Sequence, residues 1–488
     1  MVKNMENKYF LASLPDNIKI IEQLFSGDSV LRKREFSFCG TKACLFYFDG
    51  MVSVELINES IIKPLAIADF VDESQPIADF ICEKLLFASE IKKTSVISEA
   101  VSSLLYGDTL ILLEKSHTAI TVNSKGWRTR GISEPENERV LEGPREGFDE
   151  AAMFNVAMIR RRLQTPDFTA EITRIGRKTN TIIFICYLKS LVNRETLREL
   201  KMRLSKIDID SILDSHYITE QIRDNKNSLF KTVGTTERPD VVAARLLEGR
   251  IALVVDATPV VITVPYLFSE NFQSDEDYYT GYLIASAGRL MRILAFFLSV
   301  TVPALYIAFT THHFQFLPAA FAQTVSVARE GVPFSTLVEG LLLCLIFEIL
   351  RETGVRMPQS VGHALSIVGG LVVGQAAVEA RIISAPMLIA VALSGICGLM
   401  VPRLRSAVFY LRFAFIFISA LFGFYGILLL WTAVLIRILT LKSMGVDSTI
   451  SLDTLSLQSF KDVFVRASWT KMYTRPKIQK NNSIRKKI

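Results

Sequence analysis

Between Arg292 and Leu439 the chain has no lysine and no aspartate; every acid in that stretch is Glu and every base is Arg. That absence excludes an ordinary solvated surface there, where lysine and aspartate would normally be spent. The first twenty residues, MVKNMENKYFLASLPDNIKI, have no apolar core segment, which argues against a secretory signal and predicts that the first domain stays on the cytoplasmic side. The six cysteines stand at 39, 44, 82, 186, 344 and 397, with neither zinc-site nor C-x-x-C spacing, so reduced and mostly buried thiols are predicted. The five histidines, at 117, 216, 312, 313 and 363, are too few and too scattered for a metal cluster. EGPREG (142–147) is not followed by the Gly-Lys-Ser/Thr of a phosphate loop, and no G-x-S-x-G elbow or H-E-x-x-H pair occurs. The sequence therefore predicts no enzyme, no metal and no cofactor.

What is there divides the 488 residues in two. Up to about Ser286, charges mix with short apolar runs, as in soluble α/β domains. Beyond Arg292 come long apolar runs: 293–309, 337–350, 364–380, 385–401 and 413–436. A bilayer core of about 30 Å needs about 20 apolar helical residues. The first and last runs meet that length, and the shorter middle ones read as shielded or re-entrant helices. An integral membrane domain in the lipid bilayer follows. Arg289 and Arg292 before the first run, Arg351 and Arg356 after the second, and Arg403, Arg405 and Arg412 after the fourth place the N-terminal domain inside. Five simple passes would then put the tail outside. An even number, four or six, is expected, with either 316–328 as a further pass or one middle segment re-entrant. From Leu441 the last 48 residues carry 10 Lys/Arg against 3 Asp, so the net +6 of the chain is concentrated in this tail. A folded basic face, and with it nucleic-acid binding, is not indicated; the tail reads as a disordered or membrane-surface segment.

The soluble part repeats. GDTLILLEKSHTAITV (107–122) aligns without a gap on GRIALVVDATPVVITV (249–264), and SSLLYG (102–107) on ARLLEG (244–249). ACLFYFDGMV (43–52) and IFICYLKSLV (183–192) share a strand followed by a turn. Each copy reads as strand, helices and a hairpin turning near Glu114–Ser116 or Asp256–Thr258, with helices at 195–204 and 240–248 in the second copy. Two such subdomains side by side commonly leave a cleft. Between them, GFDEAAMFNVAMIRRRL predicts a helix opened by Phe148 or Asp149, with acids in its first turn and Arg160, Arg161 and Arg162 in its last. Those arginines read as a solvated helix end, with docking on phosphate or headgroups as the alternative.

In SIVGGLVVGQAAVEA (366–380), glycines interrupt an apolar run and polar groups follow. On a helix, Gly362, Ser366, Gly370, Val373, Gly374 and Ala377 fall on one narrow face. Such a stripe either packs closely on another helix or lines a narrow pore. Gln375 and Glu379 then offer polar groups to an ion path, unless Glu379 pairs with Arg381 or Arg351. Glu339 is a second ion-path candidate, since an intramembrane carboxylate is costly. Glu348 reads as the partner of Arg351.

NERVLEGPREGFDEAAMFNVAMIRRRL (137–163), TTERPD (235–240), DEDYY (275–279) and GQAAVEA (374–380) occur in this order. On these motifs the chain, over roughly residues 40–440, closely resembles the A subunit of the GerA-type spore germinant receptors. The resemblance implies a membrane subunit of a nutrient receptor that initiates spore germination. It implies work with a transporter-like B subunit and a lipoprotein C subunit in the spore inner membrane. It also implies that the B subunit holds the nutrient, an amino acid, sugar or nucleoside, while A subunits form a homo-oligomeric ring acting as a ligand-gated cation channel. That implication favours the pore reading of the stripe over helix packing. An accessory germination protein of the same family, encoded with the dipicolinate channel genes, is the alternative within the resemblance. A secondary transporter is another alternative, although no inverted repeat is visible. A scaffold subunit is the third. The predicted architecture is an α/β duplicated cytoplasmic domain followed by an all-α polytopic membrane domain. Its expected parts are an extension (1–35), a first subdomain (36–127), a linker and helix (128–170) and a second subdomain (171–286). A membrane domain of four to six helical segments (287–440) and the basic tail (441–488) complete it.

Overall fold

The computed structural model describes residues 8–68, 76–126, 135, 138, 140, 142–356, 374–449, 462–472 and 475. Its α/β part is built on two five-stranded antiparallel sheets. The first comprises β1 (Leu31–Phe38), β2 (Thr41–Phe48), β3 (Ile91–Thr94), β4 (Thr109–Leu113) and β5 (Ala119–Val122), in the order β1-β2-β4-β5-β3. The second comprises β6 (Phe168–Ile175), β7 (Thr181–Leu188), β8 (Gly234–Thr236), β9 (Ile251–Val255) and β10 (Val261–Val264), in the equivalent order β6-β7-β9-β10-β8. The ungapped match seen in the sequence falls on β4–β5 and β9–β10. At its turn the two copies even share a left-handed non-glycine residue, Lys115 (φ 61°) and Ala257 (φ 67°). Such a conformation costs roughly 1–2 kcal/mol, so its presence at both equivalent turns reflects common geometry.

The strands alternate with period two between two cores. Cys44, Phe46 and Phe48 face one cluster while Ala43 and Leu45 face another. On the second sheet Phe184, Cys186 and Leu188 join the first of these clusters, whereas Ile183 and Ile185 face a third. The inner cluster is therefore common to both sheets. It is filled by α1 (Leu14–Leu24), α2 (Ile97–Leu105), α3 (Ala152–Arg162) and α6 (Pro239–Leu247). On the outer face of the second sheet lie α4 (Arg194–Ser205) and α5 (Ser215–Ile222). The cleft expected between the subdomains is thus occupied by packed helices. Residues set aside as an extension supply α1 and most of β1, and the helix of the linker is core.

The arginines of α3 depart from the sequence reading. Arg160 is no solvated helix end: its side chain and that of Asp28, its ion-pair partner, are both fully buried. The guanidinium lies over Phe48 of the first sheet (3.9 Å) and Phe168 of the second (4.8 Å). Arg162 pairs with Glu146 at 2.7 Å. The helix also starts later than expected, because the Ala152 N–H donates to Asp256 Oδ1 (3.0 Å), a cap supplied from the second hairpin turn.

The helical part begins with α7 (Tyr282–Thr311), followed by the short α8 (Ala319–Arg329), α9 (Thr336–Arg356), α10 (Ala385–Leu399) and α11 (Arg405–Leu439). Among the described residues two helices are long and apolar enough to cross a membrane, Tyr282–Thr311 and Pro402–Leu439. Large apolar side chains stand exposed around this bundle, among them Ile284, Leu294, Ile389, Ile396, Leu429 and Ile436, as suits lipid rather than water. At 1.5 Å per residue α8 spans only about 16 Å, too short for a further pass by itself. The last apolar run is not one straight span. Gly423 has φ 59° and ψ −143°, outside helical space, and the rings of Phe415 and Trp431 lie 5.0 Å apart. Sixteen residues of straight helix would separate them by about 24 Å. α11 is therefore a hairpin whose tip meets the end of α7, with His312 Nε2 2.8 Å from the Ala420 carbonyl. A Cβ on Gly423 would lie 2.8 Å from His313 Nε2.

The hairpin returns the chain to the side from which α7 starts. There the described part of the tail is docked rather than free. The strands β11 (Lys442–Ser443) and β12 (Val446–Asp447) dock on the second α/β unit. The Tyr266 N–H donates to Ser443 Oγ (2.9 Å) and the Met444 N–H to Asp224 Oδ2 (2.6 Å). Further along, Asp462 receives Arg289 Nη1 and Tyr278 OH, each at 2.9 Å. Arg466 donates to the Thr280 carbonyl at 2.6 Å. The final NNSIRKKI lies outside the described residues.

Candidate functional site

Three motifs that stand far apart in sequence meet where the α/β part joins the bundle. Glu138 accepts from the Thr236 hydroxyl and from the Glu237 N–H (3.0 Å). Arg238 donates to the Pro144 carbonyl (2.9 Å) and pairs with Asp240 (2.8 Å). Tyr279 OH donates to the same Asp240 carboxylate. Gly143, at φ +115°, lets the Tyr279 ring approach so closely that a Cβ there would lie 2.6 Å from Cδ2. EGPREG is thus a packing loop. Its glycine serves an aromatic contact.

From the bundle, Arg403 reaches into this cluster. It donates to the Glu270 and Gln273 carbonyls (3.0 and 3.1 Å) and faces the carboxylates of Glu138 (3.3 Å) and Asp275 (3.4 Å). Glu270 is buried between Arg245 and Arg250. Burial works against its charge, but the two guanidiniums hold its carboxyl below the ordinary range. Burial raises the Asp275 carboxyl despite Arg403. Asp277 receives Arg289 (2.8 Å) and Arg292 from the first turns of α7. Arginines that the sequence reading used only as orientation markers are therefore the pins of a buried ionic joint. Arg412, the third residue of the group following the fourth run, goes further: it is buried in the bundle and donates to the carbonyls of Ser299 (3.1 Å) and Ser394 (3.3 Å). No periodicity marks these roles, because each depends on partners distant in the chain.

The other candidates lie in the bundle. Gly362, Ser366, Gly370 and Val373 fall outside the described residues. Residues 374–379 are helical. A Cβ on Gly374 would meet Leu388 of α10 at 3.6 Å, and Ala377 packs on the cluster containing Ile307, Met387 and Ile416. Gln375 and Glu379 are exposed on the other side of the turn. Glu379 makes no ion pair with Arg351 or Arg381; Arg351 instead pairs with Glu348, as its spacing predicts. Glu339 is fully buried, and its Oε1 accepts the N–H (2.6 Å) and hydroxyl of Ser384, the residue preceding α10. Its Oε2 has no hydrogen-bond partner among the described residues. No group of His, Cys, Asp and Glu among the described residues could hold a metal ion.

The family description "Bacillus/Clostridium GerA spore germination protein" matches residues 19–478. The chain belongs to the GerA spore germination family. It is 40% identical over 444 residues to spore germination protein KA of Bacillus subtilis (strain 168), covering 90% of this chain and 81% of that one. It is 33% identical over 473 residues to spore germination protein GerQA of Bacillus cereus, covering 95% and 93%. Among solved structures, the N-terminal domain of the A subunit of the Bacillus megaterium spore germinant receptor GerK3 is 30% identical. That match covers 54% of this chain and 98% of the other, with a TM-score of 0.43. A role in spore germination follows from family membership, and the two candidate spans with their exposed apolar side chains fit a membrane protein.

Proposed function

We propose that this chain is the membrane subunit of a nutrient-germinant receptor of the spore inner membrane, working with a transporter-like B subunit and a lipoprotein C subunit. In this reading the α/β part is cytoplasmic, and copies of the chain oligomerise into a ligand-gated cation channel. The observation that carries it is the exposed pair Gln375 and Glu379, one helical turn apart on a bundle whose exposed large side chains include many apolar ones. A ring of such carboxylates around an axis would attract cations, and the small residues preceding them would keep the axis narrow. In this reading Glu339, buried with one oxygen lacking a hydrogen-bond partner among the described residues, belongs to the same path. Charged side chains at membrane depth mark ion pathways more often than lipid-facing surfaces.

Cation flux from reconstituted receptor, triggered by nutrient, tests the reading. Glu379→Gln is expected to reduce flux and Glu379→Lys to abolish it. Unchanged flux in Glu379→Lys would sink the pore assignment and leave an anchoring or scaffolding subunit.

A further inference from the structure

The docked tail passes the membrane boundary with apolar side chains turned outward. At 1.5 Å per residue α7 is about 45 Å long, against a hydrocarbon core of about 30 Å, or about 20 residues. Counted back from Thr311, where α7 meets the hairpin tip, the core ends near Arg292, which pairs with Asp277. The first turns of α7 therefore stand at headgroup level and beyond. The tail runs antiparallel beside them. Asp462 receives Arg289, and the Arg466 N–H donates to Ser286 Oγ at 3.0 Å. Phe464 and Val465 lie between these two pins, level with the stretch of α7 from Ser286 to Arg289. That is roughly 5–9 Å outside the core, and the headgroup layer on each side is about 5–8 Å thick. Both side chains are about half exposed, 44% and 52%. On α7 the exposed apolar stripe continues from here into the span through Leu290, Met291 and Leu294.

The charge that follows has one sign. Beyond Arg466 the sequence carries seven Lys/Arg and no Asp or Glu. Asp462 and Asp277, the acids at the pins, are already paired, the first with Arg289 and the second with Arg289 and Arg292. An anionic leaflet attracts basic residues within a Debye length, about 8–10 Å, and apolar side chains at headgroup level insert at the acyl boundary. We propose that Phe464 and Val465, with the basic stretch after Arg466, dock on anionic lipid in the leaflet beside the α/β part. Because Asp462 and Arg466 pin the same segment to α7, this docking ties the ionic joint to the bilayer. The inference rests on the membrane reading of the bundle and is separate from the channel reading.

The test uses the full chain in nanodiscs of phosphatidylcholine, with or without phosphatidylglycerol, containing phospholipid brominated at the upper or the lower end of the acyl chain. Emission of Phe464→Trp minus that of wild type isolates position 464. That difference is expected to lose intensity to the upper bromine more than to the lower. The loss should be larger with phosphatidylglycerol. Raising the salt from 0.1 M to 1 M, which shortens the Debye length from about 10 Å to about 3 Å, should remove the added part. Wild-type emission includes Trp431, packed on Phe415 within the bundle, and its quenching by the lower bromine reports insertion of the bundle itself. If Phe464→Trp does not fold, Val465→Trp decides in the same way. Quenched wild type with position 464 unquenched overturns the docking and leaves the membrane reading intact; this is the result if a protein partner covers the segment. No quenching in either sample overturns both. Equal quenching with and without phosphatidylglycerol overturns the assignment to anionic lipid.

Discussion

Replacing Asp28 by asparagine isolates what the buried Arg160–Asp28 pair contributes. Both side chains are fully buried, so neither can recruit bulk water when its partner changes. The amide oxygen of the Asp28→Asn side chain can still accept the Val30 N–H that Asp28 Oδ1 now receives at 3.1 Å. The atom facing Arg160 becomes either a neutral oxygen or an NH2 donor opposed to a donor. The guanidinium then stays buried between Phe48 and Phe168 with only the ring faces to balance it. Breaking one side of a buried pair costs about 3–5 kcal/mol, against a total stability of roughly 5–15 kcal/mol for a domain. At roughly 2–4 °C per kcal/mol for a unit of this size, the Tm should fall by about 6–20 °C. Thermal unfolding followed by near-ultraviolet circular dichroism reads that loss. The double variant Asp28→Asn/Arg160→Met should recover more than half of it, because no orphan charge remains and the thioether packs on the same two rings. A single-variant Tm within about 2 °C of wild type, or a double variant no better than the single, would refute the claim that this pair holds the two sheets together.

Gly423→Ala should cost at least about 1–3 kcal/mol through backbone strain alone, with a further penalty from the 2.8 Å approach to His313. Faster limited proteolysis near the hairpin tip is the expected sign. Acidification should loosen the joint below pH 4.5, the ordinary value for Glu270, whose folded carboxyl lies lower. A depressed carboxyl contributes stability that is full above its unfolded value and is lost as pH falls through the folded one. Glu270→Gln should therefore be less stable at neutral pH and show a flatter acid dependence in a pH series of melting curves. Truncation after Leu441 removes the acceptor for the Tyr266 N–H and the donor to Asp224. Hydrogen exchange should then rise in the 224–232 and 266–278 segments, and unchanged protection there would show that the tail is not a clamp.

Local pattern made much of this protein legible. The short apolar runs 43–48, 109–113 and 251–255, each followed by a turn signal, read as strands buried on both faces. The ungapped repeat announced two copies of one unit, and the missing lysine and aspartate announced the bundle. The pairing of Glu348 with Arg351 followed from their spacing on one helix.

What the sequence could not determine were contacts whose partners are distant in the chain. Arg160 reads as a helix end until Asp28 and two sheets close around it. Residues 413–436 read as one span until Gly423 turns the chain, because hydropathy is blind to backbone direction. The motifs 137–147, 235–240 and 275–279 carry a family resemblance in sequence. Only the fold assembles them into one ionic joint, with Arg403 entering from the bundle. Composition and periodicity are sums over neighbours and so settle element type and environment. Charge pairing, helix reversal and cavity shape depend on which distant segments meet, and the tertiary structure alone decides that.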